Sequence, residues 1–184
     1  VINTGVVDIN GVYDATGGQT YFASAGTMQF SGDITSFGTL TEGSGTVKYD
    51  GTSSQTVFAD NYYNLTIENA STKTAGGNLD VDGDLTTEAE ASCVLDLSTY
   101  DLNVAGNLTV GQEGGLDASA CEVTFDGNST VTHAGSIEST TTTASGSNTT
   151  DYGILDDSGW SCGTPMTSST ITISGSGNTA RELK

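Results

Sequence analysis

The sequence predicts an all-β protein, a right-handed β-solenoid (β-helix) built from coils of about 20 residues. Three observations predict this fold. A five-residue motif recurs along the chain, a glycine closes each copy, and no stretch shows the 3.6-residue periodicity of a helix. Because period-two alternation places one apolar row inward and one polar row outward, each copy of the motif indicates a short β-strand.

The motif has one polar residue between two apolar residues, with a glycine two positions after the second apolar residue. Successive glycines are 21, 19, 32, 23, 21 and 48 residues apart, at Gly11, Gly32, Gly51, Gly83, Gly106, Gly127 and Gly175. We expect each glycine to form a bend between strands, often with positive φ. The two long gaps are predicted to contain coils that lack the glycine. Leu65, Thr66 and Ile67 continue the alternation inside the first gap.

A coil of this length cannot bury its apolar row alone, so coils are expected to stack into one continuous core. The competing fold is a β-sandwich, including one completed by pilin-like strand exchange, because sandwich strands also alternate between short turns. With 184 residues the chain has a one-domain length. We assign residues 1–138 to a β-repeat domain. Residues 139–184 hold a Ser/Thr-rich loop, a Trp/Cys segment and a final repeat, continuous with the same domain.

The charge balance is strongly acidic. Asp and Glu number 23 against four basic residues, which gives a formal net charge of −19. Such a charge repels phosphate backbones and anionic lipid surfaces, so no nucleic-acid partner is expected. No run of about 18 apolar residues occurs, so membrane insertion is not expected either. The chain begins at Val1 without a charged-then-apolar leader, which fits a mature exported chain or an internal fragment.

Three acidic residues form the densest acidic cluster in the repeat, Asp80, Asp82 and Asp84. Carboxylates at such short spacing are candidate Ca²⁺ ligands, and no other cofactor is expected. The spacing lacks the downstream Glu of an EF-hand loop, and Leu79 stands where a calcium-binding nonapeptide requires glycine. Alternation directs Asp80 and Asp82 outward, so a solvated face is the competing interpretation.

The cysteines Cys93, Cys121 and Cys162 match no metal-ligand spacing. In an exported protein one disulfide is expected, and Cys93 with Cys121 is the candidate pair because it would link neighbouring repeats. Cys162 would then be left over.

Five N-x-Ser/Thr sequons are candidate glycosylation sites, at Asn64, Asn69, Asn107, Asn128 and Asn148. Residues 139–150 are almost entirely Ser and Thr, which predicts an exposed loop and a candidate for O-linked glycan. Tyr152 and Trp160 lie in a segment without repeat spacing. They are candidate contacts for a neighbouring subunit or a glycan, or a plug at the end of the core. Of the adjacent Tyr62 and Tyr63, one is expected to face the core and the other solvent.

No constellation indicates catalysis. The single histidine is His133, the single arginine is Arg181, and no nucleophile-elbow motif is present. Solenoids do carry polysaccharide lyases and hydrolases, but carboxylates here show no paired arrangement. We therefore predict that the protein is not an enzyme.

Four segments carry a resemblance: GTVKYDGTSSQTV (45–57), YYNLTIENA (62–70), NLDVDGDLT (78–86) and DLNVAGNLT (101–109). The region from Gly45 to Gly115 resembles repeat regions of large secreted bacterial surface and adhesin-type proteins. This resemblance implies right-handed β-helical stalks, export and a structural or adhesive role. It transfers no site residues, and residues 139–166 depart from the pattern.

Neither terminus shows an amphipathic capping helix, so we expect either that the chain is a piece of a longer protein or that the ends of its stack meet other copies of the chain. Head-to-tail contacts that do not close produce filaments. The predicted function is a structural subunit or stalk segment of an extracellular fibre or adhesive cell-surface structure, with self-association end to end. The alternative is a polysaccharide-binding or polysaccharide-cleaving β-helix protein, with a glycan as its partner.

Overall fold

The chain forms a β-solenoid of about six turns, with coils about 21 residues apart, as the sequence predicts. The structure, a computed structural model, describes residues 1–2, 4–127, 131–133, 136–144, 149–150, 167–173 and 179–180. Side chains are described for residues 1–2, 4–127 and 131–132. Within these ranges the chain contains strands, turns and bends but no helix. Accordingly, none of the described part offers a helix that is long and apolar enough to cross a membrane.

The described strands are short, with three exceptions of 11, 9 and 7 residues late in the chain. In chain order they are β1 (Val6–Ile9), β2 (Tyr13–Asp14), β3 (Gln19–Tyr21), β4 (Thr27–Phe30), β5 (Ile34–Ser36), β6 (Thr39–Thr41), β7 (Thr46–Tyr49), β8 (Gln55–Val57), β9 (Asn61–Tyr62), β10 (Asn64–Ile67), β11 (Ser71–Ala75), β12 (Leu79–Val81), β13 (Leu85–Thr87), β14 (Cys93–Asp96), β15 (Leu102–Val104), β16 (Leu108–Val110), β17 (Gly115–Phe125), β18 (Val131–His133), β19 (Ser136–Ala144), β20 (Thr149–Thr150), β21 (Thr167–Ile173) and β22 (Thr179–Ala180).

The strands stack into three faces. Face 1 has the order β1-β4-β7-β10-β13-β16-β18. Face 2 contains β8, β11, β14 and the first part of β17, and face 3 contains β9, β12, β15 and the last part of β17. Every pairing between the described strands is parallel. The β-sandwich alternative is therefore wrong, because its two sheets are antiparallel.

Apolar side chains stack in register along the inside of each face. On face 1, Val7 pairs with Met28, Met28 with Val47, and Val47 with Leu65. Near the early coils the filling is aromatic, with the Phe30 ring centroid 5.3 Å from that of Tyr13. This continuous column is the hydrophobic core of the protein, because no single coil can bury its own apolar row.

Strand alternation also decides which way the two adjacent tyrosines point. Tyr62 ends β9 and is buried, whereas Tyr63 follows it and is exposed. The prediction that only one of them faces the core is confirmed. Further along the chain, β19 runs across the predicted division at residues 138–139 and pairs with both β17 and β21.

The motif glycines are needed for space and not for a special backbone angle. A Cβ on Gly106 would lie 2.2 Å from the carbonyl oxygen of Gly83, and a Cβ on Gly127 would lie 2.0 Å from that of Ala105. The positive-φ glycines are others: Gly5, Gly17, Gly38 and Gly43. The expected positive φ is therefore wrong for the motif glycines in the described residues. From the second coil onward they are glycine because the preceding coil packs directly against them, whereas nothing lies within 4 Å of a Cβ on Gly11.

The 32-residue gap marks a change of face as well as an additional coil. The glycines before the gap follow strands of face 1, whereas Gly83 and Gly106 follow β12 and β15 of face 3. Leu65 and Ile67 belong to β10 of face 1, so the predicted strand inside the gap is confirmed. In that coil Asn69 takes the corner with a φ of 64°. The same motif thus occurs at two different corners of the solenoid, one after face 1 and one after face 3, because the preceding coil packs against both.

Candidate self-association surface

Strand β1 is the first strand of face 1, and it has a strand on one side only. It pairs with β4, whereas every inner strand of that sheet pairs on both sides. The backbone N–H and C=O groups on its other side therefore have no strand partner among the described residues. Such an edge is a template for the addition of another strand.

The apolar row of the first coil is open to solvent. Val7 occupies an inward position, yet it is 41% exposed, whereas Met28 and Val47 beneath it are each 3% exposed. Because the three residues share one column, the difference comes from the missing neighbour above Val7. Val6 and Val12 of the same coil are exposed as well. We call the open side of β1, with Val6, Val7 and Val12, the first-coil edge.

The first-coil edge carries little charge. Asp8 and Asp14 are the only charged side chains in residues 1–32. Residues 80–126, in contrast, contain eleven Asp and Glu residues and no Lys or Arg. Since like charges oppose contact between two copies, the repulsion is smaller at the first-coil edge than around residues 80–126.

The predicted calcium ligands lie around the corner between faces 3 and 1. Asp80 accepts a hydrogen bond from Asn103 Nδ2 at 3.1 Å, and Asp84 Oδ1 accepts from Asn107 N and Nδ2 at 2.8 and 2.9 Å. Asp82 is exposed. Among the side chains that the structure describes, no group of three His, Cys, Asp or Glu residues is placed to hold a metal ion. The three carboxylates are thus not brought together as a ligand set, and Ca²⁺ binding stays a prediction.

The nearby acidic residues also affect the carboxyl group of Glu42. Burial raises the pKa of Glu42 above its ordinary value, and the nearby carboxylates of Asp82, Asp60 and Asp80 raise it further. These four residues come from successive coils, which shows that stacking concentrates negative charge along this side of the solenoid. Repulsion of this kind weakens the stack at low ionic strength.

Three of the predicted sequon asparagines take part in bonds between coils. Asn64 Oδ1 accepts a hydrogen bond from Asp84 N at 2.9 Å, and Asn107 donates to Asp84. Asn69 donates through Nδ2 to the carbonyl oxygen of Asp50 from its corner position. Asn107 is exposed, whereas Asn64 and Asn69 are half-buried. A glycan on Asn69 or Asn107 would use the nitrogen that now bonds the coil before it, and glycosylation stays a prediction.

The candidate disulfide is not formed. Cys93 and Cys121 are both free and buried. Cys93 begins β14 on face 2, and the register pairs the next residue, Val94, with Gly115. Cys121 lies six residues further along that coil, at the corner where the β17 register shifts. The expected pairing is therefore wrong in this structure, because a bridge requires the two residues at matching places on adjacent coils.

Burial keeps both thiols unreactive. It raises the pKa of Cys93 above its ordinary value and raises the pKa of Cys121 to about 11. Thiolate is the reactive form, so neither cysteine is a nucleophile near neutral pH.

Some predicted residues lie outside the described ones: Asn128, Asn148, Tyr152, Trp160 and Cys162. The backbone of His133 ends β18, and its side chain is not among those described. The predictions for these residues stay predictions.

Two buried polar residues in the core column of face 2 were not predicted from the sequence. Lys73 pairs in register with Gln55, and both point inward. Lys73 Nζ donates to the carbonyl oxygen of Gly51 at 2.7 Å, and Gln55 Nε2 donates to that of Phe30 at 2.9 Å. The alternation of the strand could have indicated the burial of Lys73, because Lys73 lies two positions before Ala75 and so points to the same, inward side. Because lysine is usually exposed, its inward position cannot be assigned until the register is known.

A column of threonines follows the outside of face 1. Thr66, Thr86, Thr109 and Thr132 occupy matching outward positions on four successive coils. Thr109 and Thr132 are exposed, and Thr66 and Thr86 are half-buried. The threonine column presents a row of hydroxyl groups with the spacing of the coils, about 4.8 Å.

Comparison with protein-family models, with curated proteins and with solved structures gives no match. The solenoid fold defines the chain as a β-helical repeat protein. Its first-coil edge and its threonine column are the features from which a function can be argued.

Proposed function

We propose that the chain is a structural segment of an extracellular or cell-surface fibre, and that it joins a second copy end to end through the first-coil edge. The observation that carries this proposal is the open inward position of Val7 above the buried Met28. The protein acts as a rigid rod, and no catalytic step belongs to its function.

A second copy supplies a chemically matching partner. Among the described strands, β1 has a strand on one side only, whereas the chain continues after β18 into later coils, with β20 beside β18. Placing the last coil of one copy on the β1 edge of the next would continue the parallel sheet and its apolar column. Full burial of a valine contributes about 1.5–3 kcal/mol, and backbone bonds across the joint fix the register.

The test is sedimentation velocity together with electron microscopy, on the protein and on a Val7→Lys variant. Lysine at the open inward position would bring a charge into the joint, so we expect loss of assembly while the fold is kept. Tyr63→Lys is the matched control, since Tyr63 is exposed and precedes β10, which is separated from β1 by β4 and β7. The proposal predicts filaments for the protein and the control. Monomers at all concentrations, or filaments of Val7→Lys, would overturn it.

The threonine column favours a second candidate function, binding of an extended neutral polysaccharide along face 1. Hydroxyl groups on successive coils can exchange hydrogen bonds with a regular row of sugar hydroxyls. Co-sedimentation with insoluble polysaccharides tests it, using Thr109→Val, which removes the hydroxyl and keeps the shape. Binding by the protein that is reduced in this variant would support the candidate. Equal binding by both would rule out the threonine column.

A further inference from the structure

Asn10 and Gly11 form the corner that follows β1, and both are exposed. They are the only Asn-Gly pair in the sequence. We propose that Asn10 is a spontaneous modification site, where the backbone nitrogen of Gly11 attacks the Asn10 side-chain amide. The products are aspartate and isoaspartate at position 10. This chemistry rests on the geometry of the first coil alone, and only its effect on assembly rests on the proposed function.

The nucleophile, the backbone nitrogen of Gly11, is free. The N–H of Gly11 has no acceptor among the described residues. At three later corners the equivalent group is held. Gly83 N–H donates to the Tyr63 carbonyl oxygen at 2.6 Å, Gly51 N–H to Gln55 Oε1 at 2.9 Å and Gly106 N–H to the Gly83 carbonyl oxygen at 3.0 Å. A nitrogen must lose its proton before it attacks, and a hydrogen bond within the protein opposes that loss. The first corner alone combines an asparagine with an unheld glycine nitrogen.

The electrophile, the Asn10 side-chain carbonyl, is activated by a neighbouring coil. Ser31 Oγ donates a hydrogen bond to Asn10 Oδ1 at 2.8 Å. The oxygen gains negative charge when nitrogen adds to the carbonyl carbon, so this donor stabilises the tetrahedral intermediate. Nothing lies within 4 Å of the position that a Gly11 Cβ would occupy. The space beside the Gly11 Cα is therefore open, and glycine has no side chain that could hinder the attack.

The steps balance with water as the only co-reactant. A solvent base removes the Gly11 amide proton, and the nitrogen forms a bond to Asn10 Cγ. The bond from Cγ to the side-chain nitrogen then breaks, and that nitrogen leaves as ammonia with a proton from solvent. Water opens the resulting five-membered succinimide at either carbonyl carbon. One opening gives aspartate, and the other gives isoaspartate, whose main chain contains an additional methylene group.

Both products alter the first-coil edge. The new carboxylate adds negative charge beside Asp8, and the isoaspartate lengthens the connection between β1 and β2. The second coil shows how a covered corner differs, since a Cβ on Gly32 would lie 2.4 Å from the Gly11 carbonyl oxygen. A second copy seated on β1 would cover Gly11 in the same way. The modification therefore proceeds at free ends, stops at occupied ones, and weakens later joining.

Peptide mapping by mass spectrometry tests the site after incubation of the monodisperse protein in mildly alkaline buffer. We expect a mass gain of about one dalton at Asn10, with both isomers, at a rate many-fold above that at Asn78. Asn78 is an exposed asparagine that precedes leucine. Gly11→Ala should slow the reaction many-fold, and Ser31→Ala should slow it several-fold. Isoaspartate at Asp82 should stay low, because the Gly83 N–H is bonded.

A rate at Asn10 no higher than at Asn78 would overturn the proposal, and an unchanged rate in Ser31→Ala would overturn the role of the serine. Because the protein is kept monodisperse, these results do not depend on fibre formation. The same mapping on sedimented assemblies tests the second part, where Asn10 should be protected. Modification without any assembly leaves the site standing and removes the proposed function.

Discussion

The hydroxyl groups of Tyr49 and Tyr62 lie 3.2 Å apart inside the solenoid, where both side chains are buried. Tyr49 also accepts a hydrogen bond from Phe58 N at 2.9 Å, and Tyr62 donates to the Phe58 carbonyl oxygen. Burial raises the pKa of each phenol above the ordinary 10.0, and for Tyr62 the neighbouring Tyr49 raises it further. The pair therefore satisfies the polar groups of one loop and stays neutral in the fold.

This pair predicts a loss of stability in alkali. Unfolded tyrosine loses its proton above pH 10.0, whereas the folded pair holds its protons, so the free energy of unfolding falls as pH rises through that value. Tyr62→Phe should cost about 1 kcal/mol near neutral pH, because the Phe58 carbonyl loses a donor. Its stability should then fall less steeply above pH 10.0. Urea unfolding across this range measures both effects, with the exposed Tyr63→Phe as control.

Lys73 is a buried amine whose hydrogen-bond partners are neutral. Its charge therefore opposes folding, whereas the packing of its apolar stem stabilises the fold. Burial lowers the pKa of Lys73 below the ordinary 10.5. The folded state thus releases this proton before the unfolded state does, and Lys73 opposes folding less as pH rises from the lowered pKa towards 10.5.

Two substitutions separate these contributions. Lys73→Met keeps the stem and removes the charge, and the Gly51 carbonyl keeps Ser71 Oγ as a donor at 3.3 Å. We expect this variant to be at least as stable as the parent. Lys73→Ala removes the packing as well and should lower the free energy of unfolding by about 2 kcal/mol or more. Urea unfolding near neutral pH measures both. A Lys73→Met variant less stable than Lys73→Ala would contradict the assignment.

At the scale of single elements, the corners decide how closely two coils can approach. Gly106 and Gly11 hold the same place in the sequence motif, but only Gly106 has a preceding coil packed against the position that a Cβ would occupy. Gly106→Ala should destabilise the protein by about 1–3 kcal/mol, because its Cβ would meet the Gly83 carbonyl at 2.2 Å. Gly11→Ala should change stability by about 0.5 kcal/mol or less. Thermal unfolding measures the difference, and equal effects would show that the corners do not set the stacking distance.

The strands were predictable because alternation and punctuation by glycine are local properties. The faces were not, because the same motif closes a face 1 strand at Gly32 and a face 3 strand at Gly106. Only pairing between coils, which depends on contacts about 21 residues apart, distinguishes them. The inward position of Lys73 was hidden for the same reason.

The open first-coil edge was only partly predictable. The sequence shows no capping helix, which led us to expect either a longer protein or ends that meet other copies, but it does not show which strand is first in its sheet. That strand is β1, and its identity depends on the order of strands in face 1. The expected Cys93–Cys121 disulfide was wrong for the same reason, since the two residues lie in neighbouring coils but at different places along them.

At the scale of the whole molecule, a net charge of −19 opposes any contact between copies. Eleven of the acidic residues lie in residues 80–126, in the middle coils. Since the Debye length falls from about 30 Å at 0.01 M salt to about 10 Å at 0.1 M, added salt removes most of this repulsion. The apolar contact at Val7 is not weakened by the same change.

End-to-end association is therefore expected to strengthen as sodium chloride is added, with a sedimentation coefficient that rises at constant protein concentration. Calcium chloride at equal ionic strength should act similarly, because the joint needs screening and no specific ion. A far stronger response to calcium, lost in Asp82→Asn, would instead support the predicted calcium site. Association that weakens with added salt would show that the joint is held by charge attraction, which the nearly uncharged first-coil edge does not provide.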